Sequence, residues 1–344
     1  MAKVHQQFIK FHDAIKLDFD SNATLREKRD IILEKLKNNI DEEAPKYTTF
    51  NQGSYALSTG VQPVDGDFDI DVGLWFEMSK DDVEPVEAKK WVYNALENHT
   101  SNVKIKTPCV TVTYVQNGEP CYHVDLTVYA TNNTDEKIYL AKGKDHSNEE
   151  NKFWDESNPK ELMEKINGHH QDVEDRAQFR RVIRYVKRWK DLHFNDGGHS
   201  RPTGIGITIA AMNSFQPNYT ITDPFANKRE YDDLSALLSF ISNMLGAFAM
   251  VYHNNEWAER LVVRIPSLPG NDLFEKMTNK QMSHFKEKLT KLKTSLQNAV
   301  DEVDPVEACK TLKKVLGDEF PVPTSTESAQ RQRPAVATVS GSAI

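Results

Sequence analysis

Asp67, Asp69 and Asp71 stand at every second position a short stretch after the pair Gly53-Ser54. The run Asp67-Phe68-Asp69-Ile70-Asp71-Val72 has the period of a β-strand. Its acids then share one face, and Phe68, Ile70 and Val72 take the other. Like charges this close repel unless a cation sits among them. Carboxylates are hard oxygen donors of the kind Mg²⁺ accepts, with waters and substrate phosphates completing its shell. A pair of such ions roughly 3.5–4 Å apart serves nucleotidyl transfer, one at the attacking oxygen and one at the leaving phosphate. Mn²⁺ can stand in for Mg²⁺ in such a site. Gly53 lets the backbone approach a triphosphate, and Ser54 offers it a hydroxyl and an N–H. The plain alternative is an acidic, solvated edge strand after an ordinary turn. The Gly-Ser pair at this distance weighs against it.

A third acid is needed from elsewhere, and Asp125 is the candidate. It is the lone carboxylate in the otherwise apolar run from Cys121 to Tyr129. Such a strand is buried on at least one face, where an unpaired carboxylate is costly and calls for a cation. A salt bridge to a nearby lysine would satisfy it equally. His123 shares the Asp125 face by parity and reads as a structural histidine.

These blocks resemble the polymerase-β-type nucleotidyltransferases, and more narrowly the cGAS/DncV-like nucleotidyltransferases (CD-NTases). The likeness runs through Gln52-Gly53-Ser54-Tyr55 with Thr59 and Pro63, Asp69-Ile70-Asp71, and His123 to Ala130. It continues in Trp154-Asp155-Glu156-Ser157-Asn158-Pro159 and in the helix from Arg180 to Asp191, ending near Gly197-Gly198. The resemblance implies a polymerase-β-like lobe with a mixed sheet, an α-helical second lobe and a cleft between them. It implies Asp69, Asp71 and Asp125 as metal ligands for two Mg²⁺ ions. Gln52, Gly53, Ser54, Ser157, Lys187 and Ser200 are implied as nucleotide contacts. There are three departures. Gln62 replaces an arginine frequent in the family, and Asp67 leaves Asp67/Asp69 open as an alternative metal pair. Tyr55, Ala56 and Leu57 do not place an aromatic where the DncV-like pattern has one.

Composition narrows the class. At 344 residues the chain exceeds the size, about 250–300 residues, at which one core stops growing, so two lobes are expected. A net charge of −8 argues against a protein that lives on nucleic acid. Cys109, Cys121 and Cys309 have neither zinc nor disulfide spacing, which fits a reducing cytoplasm. No signal peptide or membrane-length apolar run is expected.

Periodicity predicts helices over Gln6–Leu17 and Thr24–Ile40, the latter after capping residues Ser21-Asn22. Tyr47 to Phe50 leads into the Gly-Ser turn, and the Asp-x-Asp strand, a helix near Val86–Glu97 and strands near Val103–Ile105, Val110–Tyr114 and Tyr122–Tyr129 complete an α+β lobe spanning 1–158 with a mixed sheet. Within it, 131–158 reads as a polar connecting loop. Helices near Lys160–Ile166, Asp172–Leu192, Ile205–Asn213, Asp233–Tyr252, Asp272–Met277, Gln281–Val300 and Pro305–Leu316 make a second lobe over 159–320, with a short strand at Glu259–Arg264. Residues 321–344, rich in Ser, Thr, Ala and Pro, read as a disordered tail.

Arg180, Arg184 and Lys187 fall on one helical face. Either that face is a solvated charge run, or it meets phosphate across a cleft polarised against the acidic strand. The combined reading is a cyclic oligonucleotide synthase. It would join ATP and GTP into a cyclic di- or trinucleotide of the cGAMP kind with release of pyrophosphate, in anti-phage (CBASS-type) signalling. An operon-encoded regulator, or a conjugating enzyme acting on the C-terminal tail, is the partner this implies; no stable nucleic-acid partner is. The alternatives are a nucleotidyltransferase acting on RNA 3′ ends or a protein side chain, and a nucleotide sensor without turnover.

Overall fold

Alternating Thr and Val, Asp and Ile, and His and Val along three strands favour a sheet with one apolar and one polar face. The computed structural model, which describes residues 3–17, 23–64, 66–116, 118–194, 201–267 and 269–324, contains that sheet. Strands β1 (Tyr47–Asn51), β2 (Phe68–Phe76), β3 (Val103–Ile105), β4 (Val110–Gln116) and β5 (Glu119–Ala130) stand in the order β1-β2-β5-β4-β3. Only β2 and β5 pair in parallel; the other pairs are antiparallel, so the sheet is mixed. Helices α1 (His5–Ile15), α2 (Ala23–Asn39), α3 (Gly53–Ala56) and α4 (Pro85–Leu96) fall before or between these strands.

Ile70, Val72, Leu74 and Phe76 of β2 join Val124, Leu126 and Val128 of β5 on the apolar face. Leu25, Ile32 and Leu36 of α2 and Val92 and Leu96 of α4 cover them. Truncating one of these aliphatic side chains to alanine costs about 2–5 kcal/mol. Lys89 of α4 is buried beside this core, where its ammonium donates to the carbonyls of Lys106, Thr107 and Gly143. Its three donors meet three acceptors, which satisfies the charge without water.

The segment expected as a connecting loop holds a hairpin instead. β6 (Tyr139–Lys142) pairs with the end of β5 and with β7 (Phe153–Glu156). Its apolar residues were masked by the surrounding charges.

The second set of elements is α5 (Pro159–Asn167), α6 (Val173–His193), α7 (Gly204–Ser214), β8 (Tyr219–Asp223), β9 (Lys228–Tyr231), α8 (Asp233–Gly246), β10 (Ala249–His253), β11 (Glu256–Arg260), α9 (Asn279–Asp301) and α10 (Pro305–Leu316). Caps set the starts: Asn158, Asp172, Thr203, Asp232, Thr278 and Asp304 each accept a backbone N–H of the following helix. Phe179, Val182, Val186 and Trp189 of α6 lie at the centre of this core. Val4, Phe8, Phe11 and Ile15 from around α1 pack here too, not beneath the sheet. Asp233 is fully buried and joins α8 to α6. It accepts from Arg181 Nε at 2.7 Å and Nη2 at 2.9 Å, from Tyr185 at 2.8 Å and from Gln178 at 3.1 Å.

Three further expectations change. The helix expected to reach Tyr252 stops at Gly246, and the β10–β11 hairpin follows, turning on Asn254 and Asn255 at φ 51° and 66°. Two successive left-handed residues are what a two-residue hairpin needs, and Asn tolerates that region. The short strand therefore lies at Glu256–Arg260 rather than Glu259–Arg264, and 272–277 forms turns in place of a helix. Val322 still packs against the helical core just beyond Phe320, which is fully buried. Ser21, Asn22, Gly197, Gly198, Ser200 and residues 325–344 lie outside the described residues. Among the described residues no helix is long and apolar enough to cross a membrane.

Candidate active site

The polar face of the sheet gathers the chemistry. Asp69 and Asp71 project from it on β2, His123 and Asp125 on β5, and Thr111 and Thr113 on β4. Register aligns them in two rows: Asp71, Asp125 and Thr111 in one, and Asp69, His123 and Thr113 in the other. The parallel pairing of β2 with β5 is what sets two carboxylates side by side.

The Gly-Ser pair reaches the first row through β1. Asn51 of β1 pairs with Val72, and Gln52 N–H then donates to the Asp71 carbonyl at 3.1 Å. The chain turns directly over Asp71 and enters α3. Gly53 has φ 64°, and its missing side chain makes room for the Asp71 carboxylate. The ladder of α3 begins with the Ala56 and Leu57 N–H groups, so Ser54 N–H takes no part in it. The Gln52 side chain is spent on the sheet: Nε2 donates to Thr127 at 2.8 Å and Oε1 accepts from Tyr129 at 3.1 Å. It holds the turn rather than facing a cleft.

Electrostatics follow from this crowding. Burial, then the charges of Asp125 and Asp69, push the Asp71 carboxyl up to about 7, with Lys187 opposing. Burial and Asp125 likewise raise Asp69, against the pull of His123. For both groups burial and like charge outweigh the cationic neighbours, which is the electrostatic setting a divalent cation relieves. In the side-chain positions described, no three His, Cys, Asp or Glu groups converge as a finished ligand set. The reason is visible in the rows. Asp71 turns against Gly53, while Asp125 Oδ1 accepts from Thr111 at 2.5 Å and lies 4.0 Å from Lys106 Nζ. The donor chemistry, three carboxylates on one face with Lys106 at 4.0 Å from Asp125 as their one ion pair among the described residues, still fits Mg²⁺.

Asp67 lies before β2 and leaves the row. Its Oδ2 accepts from His123 Nε2 at 2.7 Å, and Thr113 Oγ1 lies 3.0 Å from His123 Nδ1. His123 is thus a satisfied residue beside the acids.

Arg184 and Lys187 of the basic helix are buried rather than part of a solvated charge run. Arg184 Nε and Nη2 donate to the carbonyls of Gly60 at 3.0 Å and Ser58 at 2.6 Å, and Nη1 donates to His12 Nε2 at 3.0 Å. Lys187 Nζ donates to Thr59 Oγ1 at 3.0 Å and to its carbonyl at 3.2 Å. Both cations are buried and clamp the turn after α3, so the α-helical elements hold the Gly-Ser segment in place. Arg180 points elsewhere, to Asn167. Burial, reinforced by Lys190 and Arg184, lowers Lys187 to about 7.

Ser157 stands apart from the acidic rows. It follows β7, donates its N–H to Ile138 at 2.9 Å, and lines a cleft of about 570 Å³ with Glu161, Lys165 and Ser267. None of Asp69, Asp71 and Asp125 lines that cleft. Thr111, Thr113 and Lys106 escaped the sequence reading. The alternation Val110-Thr111-Val112-Thr113 carried the signal for the first two, since period 2 puts both hydroxyls on the Asp125 side.

Comparisons with known proteins agree with this construction. Residues 47–129, from β1 to the end of β5, match the family model described as cyclic GMP-AMP synthase DncV-like, nucleotidyltransferase domain. A cyclic GMP-AMP synthase of Escherichia albertii is 27% identical over 184 residues, which make up 51% of this chain and 38% of the relative. The match therefore spans less than two fifths of that protein. In fold, the chain is similar to Vibrio cholerae DncV cyclic AMP-GMP synthase, with a TM-score of 0.68 at 16% identity over 95% of this chain and 99% of the other. It is also similar to Bradyrhizobium diazoefficiens CD-NTase CdnG in complex with GTP, with a TM-score of 0.68 at 15% identity over 96% and 98%.

Proposed function

We propose, from the premise that residues 47–129 are a nucleotidyltransferase domain of the DncV-like family, that this chain is a cyclic oligonucleotide synthase. It would join nucleoside triphosphates, ATP and GTP first among them, with release of pyrophosphate and closure into a cyclic di- or trinucleotide. One observation carries the reading: Asp71 and Asp125 stand in register on neighbouring strands, Asp69 precedes Asp71 on the same face, and Gly53 lies directly over Asp71. The E. albertii relative's activity and the GTP bound to the B. diazoefficiens enzyme supply the substrate class.

Asp69, Asp71 and Asp125 would hold Mg²⁺, or Mn²⁺ in its place. The metals, when bound, would polarise the α-phosphate and lower the pKa of the attacking hydroxyl. The chain's own part is positioning. Gly53 and Ser54 bring backbone close to the triphosphate, and their turn is fixed from behind by Gln52 and from the helical side by Arg184 and Lys187. Elements before Asn158 would form the catalytic lobe and those after it a nucleotide-gripping lobe, with Ser157 at the junction. A cytoplasmic role in anti-phage signalling, with an operon-encoded regulator or conjugating enzyme, completes the proposal.

The test is incubation of the purified chain with all four NTPs and Mg²⁺ or Mn²⁺, followed by phosphatase treatment and mass spectrometry. A phosphatase-resistant ring, absent with Asp69→Asn/Asp71→Asn, is the expected product. Transfer of label to RNA or protein without a ring would replace the proposal with the corresponding alternative. Failure to bind any NTP would end it.

A further inference from the structure

We infer that Thr111 is a positioning residue for Asp125, fixing the carboxylate for cation binding; the inference rests on the nucleotidyl-transfer reading above. Asp125 stands beside Asp71 in register, where mutual repulsion favours turning it away. On its other side a hydroxyl holds it in one orientation. Thr111 is its in-register partner across the antiparallel β4–β5 pair, and Thr111 Oγ1 donates to Asp125 Oδ1 at 2.5 Å. Hydrogen bonds to a charged acceptor are the short, strong ones.

Thr111 is itself held. It is 1% exposed, so its hydroxyl has no solvent to turn to, and its other polar neighbour is Cys109 Sγ at 3.5 Å. A β-branched side chain in a strand has restricted χ1, which fixes where the hydroxyl points. Lys106 Nζ, 4.0 Å away, meets the same Oδ1. Thr111 and Lys106 both meet Oδ1, and the Cys109 thiol is a further polar neighbour of the carboxylate. The arrangement pins the carboxylate by Oδ1. Groups that orient a metal ligand in this way are commonly worth about 10–100-fold in metal affinity or activity.

The experiment is Mn²⁺ binding followed by electron paramagnetic resonance, on the full chain and on Thr111→Val, Thr111→Ser and Asp125→Asn, with melting curves on each. Thr111→Val keeps shape and loses the hydroxyl; it should bind Mn²⁺ at least about tenfold more weakly while melting close to the parent. Thr111→Ser keeps the hydroxyl and should bind within about twofold of the parent. A folded Thr111→Val that binds like the parent overturns the inference, as does a folded Thr111→Ser that binds as weakly as Thr111→Val. Should the valine variant fail to fold, Thr111→Ala replaces it under the same criteria. Parent and Asp125→Asn binding Mn²⁺ alike would overturn the acidic site itself, and this inference with it; parent binding with an unaffected valine variant overturns this inference alone.

Discussion

Asp71 Oδ2 lies 1.9 Å from the point at which a side chain on Gly53 would place its Cβ. No rotamer change at Gly53 relieves such a clash, because the Cβ is fixed by the backbone. Either the turn lifts off β2 or the carboxylate leaves its row. Gly53→Ala should therefore cut NTP turnover by about 100-fold or more, the size of effect that misplacing reacting groups by an ångström can have. The left-handed φ of 64° adds about 1–2 kcal/mol of strain for any residue with a Cβ. Initial rates and a denaturant melt check the two parts separately.

Ser58 closes the same turn in the left-handed region without being glycine, at φ 51°. Thr59 N–H returns to the Ser54 carbonyl and Ser58 N–H to that of Tyr55, the bond pattern of a Schellman helix end. Arg184 Nη2 then grips the Ser58 carbonyl. The Ser58 side chain is exposed, so little is lost by removing it. Ser58→Gly should raise unfolding free energy by about 0.5–1 kcal/mol, read as a higher urea midpoint at unchanged slope.

The acidic strand and the third aspartate were legible because period 2 sorts side chains by face without any tertiary information. The same rule brought Thr111 within reach, yet a hydroxyl among valines reads as strand propensity until its partner is known. The basic helix misled for a physical reason: six cations in eleven residues on an acidic chain suggest a solvent-facing field. Arg184 and Lys187 instead find acceptors in Ser58, Thr59 and Gly60, more than a hundred residues away in sequence. The β10–β11 hairpin was missed because Phe248, Val251 and Tyr252 extend an apolar run that a helix and a strand fit equally. Asn254-Asn255 was the available signal for the turn.

His12 accepts from Arg184, which requires a neutral ring with its proton on Nδ1, 3.2 Å from Asp13 Oδ1. Burial and then the Arg184 charge lower its pKa to about 4, with Arg181 adding to the effect and Asp13 opposing it. The unfolded chain takes up this proton near the ordinary histidine value of 6.5, so it binds more protons than the folded one between pH 6.5 and 4. Stability supplied by the neutral ring is complete above pH 6.5 and lost as pH falls towards 4. Urea titrations should show a loss of about 2 kcal/mol between pH 7 and pH 5 beyond that of His12→Gln. The glutamine variant keeps an acceptor for Arg184 and cannot titrate. Equal slopes for the two proteins would contradict the assignment.

Lys187 offers a direct link between the helical elements and substrate charge. Buried against Thr59, with Lys190 and Arg184 nearby, its ammonium titrates at about 7. A triphosphate held by Gly53 and Ser54 would bring several negative charges towards it, favouring the protonated form. Binding then raises the Lys187 pKa, so a proton is taken up wherever the free chain is largely deprotonated. At pH 8 the uptake should approach one proton per nucleotide, and at pH 6 it should fall close to zero. Calorimetric titration with a nonhydrolysable ATP analogue, repeated in buffers of different ionisation enthalpy, measures this number directly. Lys187→Met should bind the analogue more weakly and remove the uptake at pH 8. Uptake that persists in the methionine variant would place the titrating group elsewhere, and absence of uptake in the parent would mean that Lys187 stays with Thr59 while nucleotide is bound.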